Sequence, residues 1–241
     1  MITSLDNKRI KEIIKLKNKK HRDNKDKFIV ETLNLVTEAY KAGLLEEIYV
    51  LDRYNYSFDV DTFYVTDNVM AKISSLENSS ILGICKKRAN TKLLGDKFLL
   101  LDGVQDPGNL GTIIRCALGF NIDTIVLSYD TCDLYNEKVI RATEGAIFKM
   151  NIIRDDLTKV INELKNKNII IYGTDVNGGI DVKTVDEVSK FALIMGSEGN
   201  GVKNNIKQLV DKNLYINTNK QLESLNVGVA TGIILYSLVK L

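Results

Sequence analysis

The chain has 241 residues, enough for one large α/β domain or two smaller ones with cores of their own. Its 44% hydrophobic and 27% charged residues are ordinary for a soluble globular protein, and no apolar run approaches the ~20 residues that span a bilayer. With a net charge of +2, one histidine and three scattered cysteines, it offers no basis for Ser–His catalysis, a histidine-based metal site or a disulfide framework.

The N-terminal stretch "MITSLDNKRIKEIIKLKNKK" lacks the apolar core of a secretory signal, so a cytoplasmic protein with reduced thiols is expected. Asp6 can cap a helix from Asn7 to about Lys20, with Ile10, Ile13, Ile14 and Leu16 on one stripe. Basic residues surround that stripe. Lys8 to Lys27 holds ten Lys or Arg against three Asp or Glu, a local +7, while the remainder carries −5. Such a block is the footprint of a nucleic-acid contact, and a solvated helix face has the same composition.

"FIVE" (Phe28 to Glu31) reads as a strand, and Thr32 caps a helix ending at Gly43. "EIYVL" (Glu47 to Leu51) and "TFYVT" (Thr62 to Thr66) read as strands. Asp67 opens a helix through "NVMAKISSLE", and "SILGICK" (Ser80 to Lys86) is a closing strand. Residues 1–86 thus form a small α/β domain, and the polar segment 87–96 is the natural linker.

Residues 97–241 start with the apolar strand "KFLLLDGV", of the kind buried on both faces. A helix is expected from about Asn109 to Gly119, a strand over Thr124 to Ser128, and a helix from Asn136 to about Thr143. Ile147 to Ile153 reads as a strand. Asp156 caps a helix to about Lys167. Strands follow at Asn168 to Thr174, Phe191 to Gly196 and Asn213 to Ile216, and a last helix runs from about Leu225 to Leu241. Strands alternating with helices argue for a mainly parallel sheet with helices on both faces.

Ligands of open α/β sheets bind beyond the carboxyl ends of the strands. Three such ends carry unusual sequence. "LDGVQDPGNLGTIIRCALGF" (Leu101 to Phe120) holds Pro107, the single proline of the chain, where it sets φ in a turn just before the helix. "MGSEGNGV" (Met195 to Val202) places Glu198 within a glycine loop. "NTNKQLESLNVGVATG" (Asn217 to Gly232) sets Ser224, Leu225 and Asn226 at the start of the last helix, whose small residues permit close packing. Neither a dinucleotide fingerprint nor a P-loop is present.

Together these segments resemble the SpoU, or TrmH-like, family of RNA ribose 2′-O-methyltransferases. Asp106, Pro107, Asn109, Gly111, Arg115 and Ala117 match its first motif. Met195, Gly196, Glu198 and Gly201 match the second, and Ser224, Leu225, Asn226 and Val227 the third. Asn217 and Thr218 stand where Pro-Met is usual, and Lys220 where glycine is usual. "KVIRATEGAIF" (Lys138 to Phe148) is similar to a further family segment, through Arg141 and Gly145. The N-terminal half resembles the family's optional RNA-binding domain.

The resemblance implies a C-terminal trefoil knot and a pocket for S-adenosylmethionine formed by the second and third motif loops. Gly196, Ile216 and Leu225 would hold the cofactor, with Thr174 beside them. It implies a homodimer, no metal and no membrane. It assigns the reacting ribose to Arg115; Asn109 would orient Arg115 or the ribose, and Glu198, Ser224 and Asn226 would complete the polar wall. RNA would be held by Lys15, Lys17, Lys19, Lys20, Arg22 and Arg141. The extra N-terminal domain favours ribosomal RNA over transfer RNA as substrate. Two alternatives stand beside this reading. One is a non-catalytic RNA-binding or ribosome-assembly factor, suggested by the altered third motif. The other is a base-methylating knotted enzyme.

Overall fold

The computed structural model describes residues 1–89, 92–175, 178–219 and 221–239. The chain divides into two compact units, Met1–Ala89 with Asp133–Phe148, and Asn90–Cys132 with Lys149–Leu241.

In the first unit the expected basic helix is two helices, α1 (Lys8–Lys15) and α2 (Lys19–Lys25). The break has a local cause. The Asn18 side chain accepts the Lys20 amide at 2.9 Å and starts a new helix. Asn7, rather than Asp6, caps α1 through the Arg9 amide. Strand β1 (Lys27–Glu31) leads into α3 (Leu33–Lys41), capped by Thr32 as expected. Then come β2 (Leu45–Leu51), β3 (Asp61–Val65), α4 (Asp67–Ile73) and β4 (Ile81–Lys86). The sheet order is β1-β4-β2-β3, with β2 and β3 parallel and the other pairs antiparallel. Ile10, Ile13 and Leu16 of the basic segment bury their stripe against Tyr49, Val69 and Ile73, which is what holds that segment helical.

The second unit opens with β5 (Lys97–Asp102), α5 (Pro107–Gly119) and β6 (Thr124–Leu127). The chain then contributes α6 (Glu137–Ala142) and a 3-10 turn, Ala146–Phe148, to the first unit. The segment is fixed there by packing. The Phe28 ring lies 4.7 Å from that of Tyr135 and 6.4 Å from that of Phe148. The strand expected at Ile147 to Ile153 is therefore shorter, as β7 (Asn151–Arg154). The second unit continues with α7 (Leu157–Asn166), β8 (Ile170–Thr174), β9 (Ile180–Asp181), β10 (Phe191–Gly196), α8 (Asn204–Lys207), β11 (Lys212–Tyr215) and α9 (Val227–Leu238). Sequence reading missed β9 and α8, which are two and four residues long and have no periodicity to detect.

Among the described residues this unit holds a seven-stranded sheet in the order β7-β6-β5-β10-β8-β11-β9, and every adjacent pair is parallel. Two-faced burial explains the unbroken apolar runs of β5 and β10. Helices α7 and α8 cover one face, where Val160, Ile161, Leu164 and Ile206 meet Phe98, Leu100, Ala192 and Ile194. Helix α9 packs on β10 and on α5. A methyl added to Gly228 would lie 3.0 Å from the Thr112 methyl, so the small residues of α9 do allow the expected close approach. The order inserts the late strand β10 between β5 and β8, which brings the ends of β5 and β10 side by side.

Candidate active site

The site grows from three strand ends. β5 runs into a left-handed turn at Gly103 (φ 77°), and the chain then enters α5. Asp106 caps that helix by accepting the Asn109 amide at 2.8 Å, and Pro107 occupies its first position. This fixes the first turn of α5, which carries Asn109. Beyond β10, Ser197 and Gly201 exchange two backbone hydrogen bonds of 3.0 Å and close a tight loop around Glu198. Before α9, Asn226 caps the helix by accepting the Gly228 and Val229 amides.

These three loops are joined by side chains. The Asn109 Nδ2 donates to Glu198 Oε1 at 3.0 Å, and Asn226 Nδ2 donates to Asn109 Oδ1 at 2.8 Å. The amides of Gln105 and Asp106 also donate to the Glu198 carboxylate, each at 3.3 Å. Burial pushes the Glu198 carboxyl up. Hydrogen bonds from Asn109, from its own backbone amide and from Gln105 and Asp106 outweigh that and hold it below the usual range. Asn109 is thereby fixed in one orientation, its oxygen toward Asn226 and its amide toward Glu198.

Arg115 lies further along α5. It is exposed, and its side chain makes no hydrogen bond or ion pair with a described residue. Its guanidinium is thus available to a ligand. It is not hydrogen-bonded to Asn109. Ser224 is exposed as well, and Lys220 lies outside the described residues. Three of the five expected polar residues therefore form one network, and Arg115 stands apart from it.

The family model of the SpoU rRNA methylase family matches residues 96–236. The chain belongs to that family. A second model, the MRM3-like substrate binding domain, matches residues 7–82. The chain is 35% identical to the Bacillus subtilis protein named 23S rRNA (guanosine(2553)-2'-O)-methyltransferase RlmP, with 98% of each chain covered. It is 33% identical to the Coxiella burnetii 23S rRNA (guanosine-2'-O-)-methyltransferase RlmB, covering 68% of this chain and 65% of that one. The crystal structure of an AdoMet-bound rRNA methyltransferase from Sinorhizobium meliloti superposes with a TM-score of 0.86 at 28% identity. It covers 98% of this chain and 95% of that one.

The expected cofactor residues of this SpoU family chain sit on neighbouring strands. Thr174, Gly196 and Ile216 fall at or just past the carboxyl ends of β8, β10 and β11, which are adjacent in the sheet. Thr174 Oγ1 donates to the Ile194 carbonyl at 3.2 Å. Ile216 and Leu225 are half-buried, while Asn217 to Asn219 and Gln221 to Ser224 are exposed. Methyl groups added at Gly199 and Gly201 would meet nothing within 4 Å. Two half-buried aliphatic side chains beside exposed main chain and open glycines suit a flat purine and an amino-acid tail. The donor set therefore fits S-adenosylmethionine. Among the described residues no group of three or more His, Cys, Asp or Glu is arranged to hold a metal.

The basic residues singled out for RNA have differing surroundings. Lys15 pairs with Glu12 at 2.7 Å. Lys17 Nζ donates to the carbonyls of Lys72 and Ser74, each at 3.2 Å, and so caps α4. Arg22 is buried, donates to the carbonyls of Leu16 and Lys17, and pairs with Asp133 at 2.5 Å. Arg141 pairs at 2.8 Å with Glu31, whose side chain is 2% exposed, and donates to Ser75 Oγ. Lys19 and Lys20 are exposed, and their ammonium groups make no hydrogen bond or ion pair with a described residue.

Proposed function

We propose that the protein is an S-adenosylmethionine-dependent methyltransferase that modifies a ribose 2′-hydroxyl of ribosomal RNA. One observation carries this reading. The Glu198–Asn109–Asn226 network joins three motif loops at the carboxyl end of a parallel sheet and leaves Arg115 exposed on the same helix as Asn109.

S-adenosylmethionine supplies, when bound, a sulfonium-activated methyl group. The chain must then position the ribose oxygen and ease loss of its proton. Arg115 cannot serve as the base, because a guanidinium stays protonated. Its role is to donate to the 2′-oxygen and stabilise the charge developing there, while water or an RNA phosphate oxygen takes the proton. Asn109 is locked by two partners, which leaves it little freedom. It acts by fixing the first turn of α5, and with it the helix that carries Arg115. Gly196, Ile216, Leu225 and Thr174 border the cofactor, and Ser224 completes the polar wall.

Lys19 and Lys20 are the most available of the basic residues proposed to meet RNA. The protein works as a homodimer in the cytoplasm, where its substrate is. Support for the dimer comes from α9, where Val229, Ile233 and Tyr236 are 50%, 37% and 75% exposed. These residues recur at helical spacing and form one apolar stripe.

Arg115→Ala tests the assignment. Turnover on unmodified 23S RNA should fall by about 10²-fold or more, as when one donor to a developing oxyanion is lost. Calorimetric affinity for S-adenosylmethionine should stay within about threefold, because the side chain makes no hydrogen bond or ion pair with the proposed cofactor residues. Full activity in the variant would remove Arg115 from the mechanism. Nuclease digestion of the product that placed the methyl on a base would overturn the reaction type.

A further inference from the structure

Lys203 lies just beyond the second motif and outside the set of site residues. Its backbone amide donates to Asp102 Oδ2 at 2.8 Å. Its ammonium reaches Asp102 Oδ1 at 3.3 Å and Asp130 Oδ2 at 2.6 Å. Asp102 is the last residue of β5 and is 2% exposed, so its carboxylate has been withdrawn from water and needs these partners. Asp130 is itself held, since Ser128 Oγ donates to its Oδ1 at 2.6 Å.

The same elements return to Glu198 by a second route. The Asp130 carbonyl accepts Gln105 Nε2, and the Gln105 amide donates to Glu198 Oε2. Lys203, Asp130, Gln105 and Glu198 thus form a closed circuit whose last side is the loop Ser197–Val202. Within that loop the other backbone tie is the Ser197–Gly201 pair. An ammonium between two carboxylates at one end of the loop, and a carboxylate under three donors in its middle, fix it at two points.

We propose that Lys203 is a positioning residue for methyl transfer: its ammonium latches the Ser197–Val202 loop to the ends of β5 and β6 and so holds Glu198 on Asn109. The proposal rests on the methyltransferase reading above. Half of the Lys203 side chain is exposed. A direct contact with RNA phosphate is the competing use of this charge, and the two uses predict different kinetics.

The test compares the full-length wild type with Lys203→Met, Lys203→Arg and the double variant Asp102→Asn/Lys203→Met, which leaves no unpaired charge at the end of β5. The probes are unmodified 23S RNA transcript and S-adenosylmethionine. Lys203→Met and the double variant should lose about tenfold to a hundredfold in kcat, with KM for RNA within about threefold, because a displaced catalytic loop costs orientation rather than binding. Lys203→Arg should recover most of the loss. By hydrogen-exchange mass spectrometry, the amides of Gln105, Asp106 and Ser197–Gly201 should exchange about tenfold faster in Lys203→Met, with β6 and α7 unchanged.

A kcat within twofold of wild type in the folded double variant overturns the proposal. So does a loss confined to KM for RNA, which would make Lys203 a phosphate contact. Unchanged exchange at Gln105, Asp106 and the loop also overturns it, and that arm decides the matter even if the wild type methylates no transcript. In that event the reaction assignment fails separately.

Discussion

Gly196→Ala is the most direct test of the proposed site. Gly196 ends β10, opposite Asp102 of β5. An added methyl would fall well under 3.0 Å from the Gly201 carbonyl carbon and oxygen and from the Val202 nitrogen. All three are backbone atoms, so no side chain can rotate aside. Ordinary carbon contacts need about 3.5 Å, so the loop must move by about 1 Å. The bonds that Glu198 accepts from Asn109, Gln105 and Asp106 are 3.0–3.3 Å long, and a shift of that size breaks them. Overpacking of this kind costs about 1–3 kcal/mol of stability. A 1 Å misplacement of catalytic groups costs about 10²-fold in rate. Thermal unfolding and transfer of labelled methyl to RNA read the two effects separately, and calorimetry reads cofactor affinity. A variant with kcat within threefold of wild type and unaltered stability would refute the argument that this glycine holds Glu198 in place.

The remaining expectations are brief. Lys19→Ala/Lys20→Ala should reduce the slope of log affinity for RNA against log salt by about 1.4–1.8, the release from two phosphates. Lys17→Ala should leave that slope unchanged, since its ammonium serves the carbonyls of Lys72 and Ser74. Arg141→Ala should destabilise the first unit by about 3 kcal/mol in urea titration, because it leaves Glu31 buried and short of a cation. A loss of RNA affinity without loss of stability would instead make Arg141 an RNA contact. Glu198 has a lowered folded pKa, so its contribution is complete above its ordinary value of 4.5 and is lost as pH falls through the folded value. Glu198→Gln should abolish that acid-side loss of loop stability, and an identical profile in the variant would dissociate Glu198 from it.

Much of the architecture was legible in sequence for local reasons. Apolar runs such as "KFLLL" and "FALIM" could be read as doubly buried strands because few other environments tolerate them. Thr32 and Asp156 marked helix starts because capping needs only neighbours three residues away, whereas α5 starts at Pro107, two residues before the expected Asn109, because Asp106 caps it. Motif residues Asn109, Glu198 and Asn226 could be named together only through family resemblance. Their hydrogen bonds span 89 and 117 residues, and no periodicity encodes such a meeting.

The basic segment shows the boundary clearly. Its composition established a local +7, and its spacing established an apolar stripe. Which of those charges remain available was decided by tertiary contacts. Lys17 found the end of α4, and Arg22 found Asp133 across 111 residues. Lys19 and Lys20 met no such partner. The same holds at the candidate active site. The sequence alone determined which residue types stand at the ends of β5 and β10, and the sheet order then placed those ends side by side. A side chain's conformational preferences are local, whereas its electrostatic partners depend on what the folded chain brings within about 3 Å.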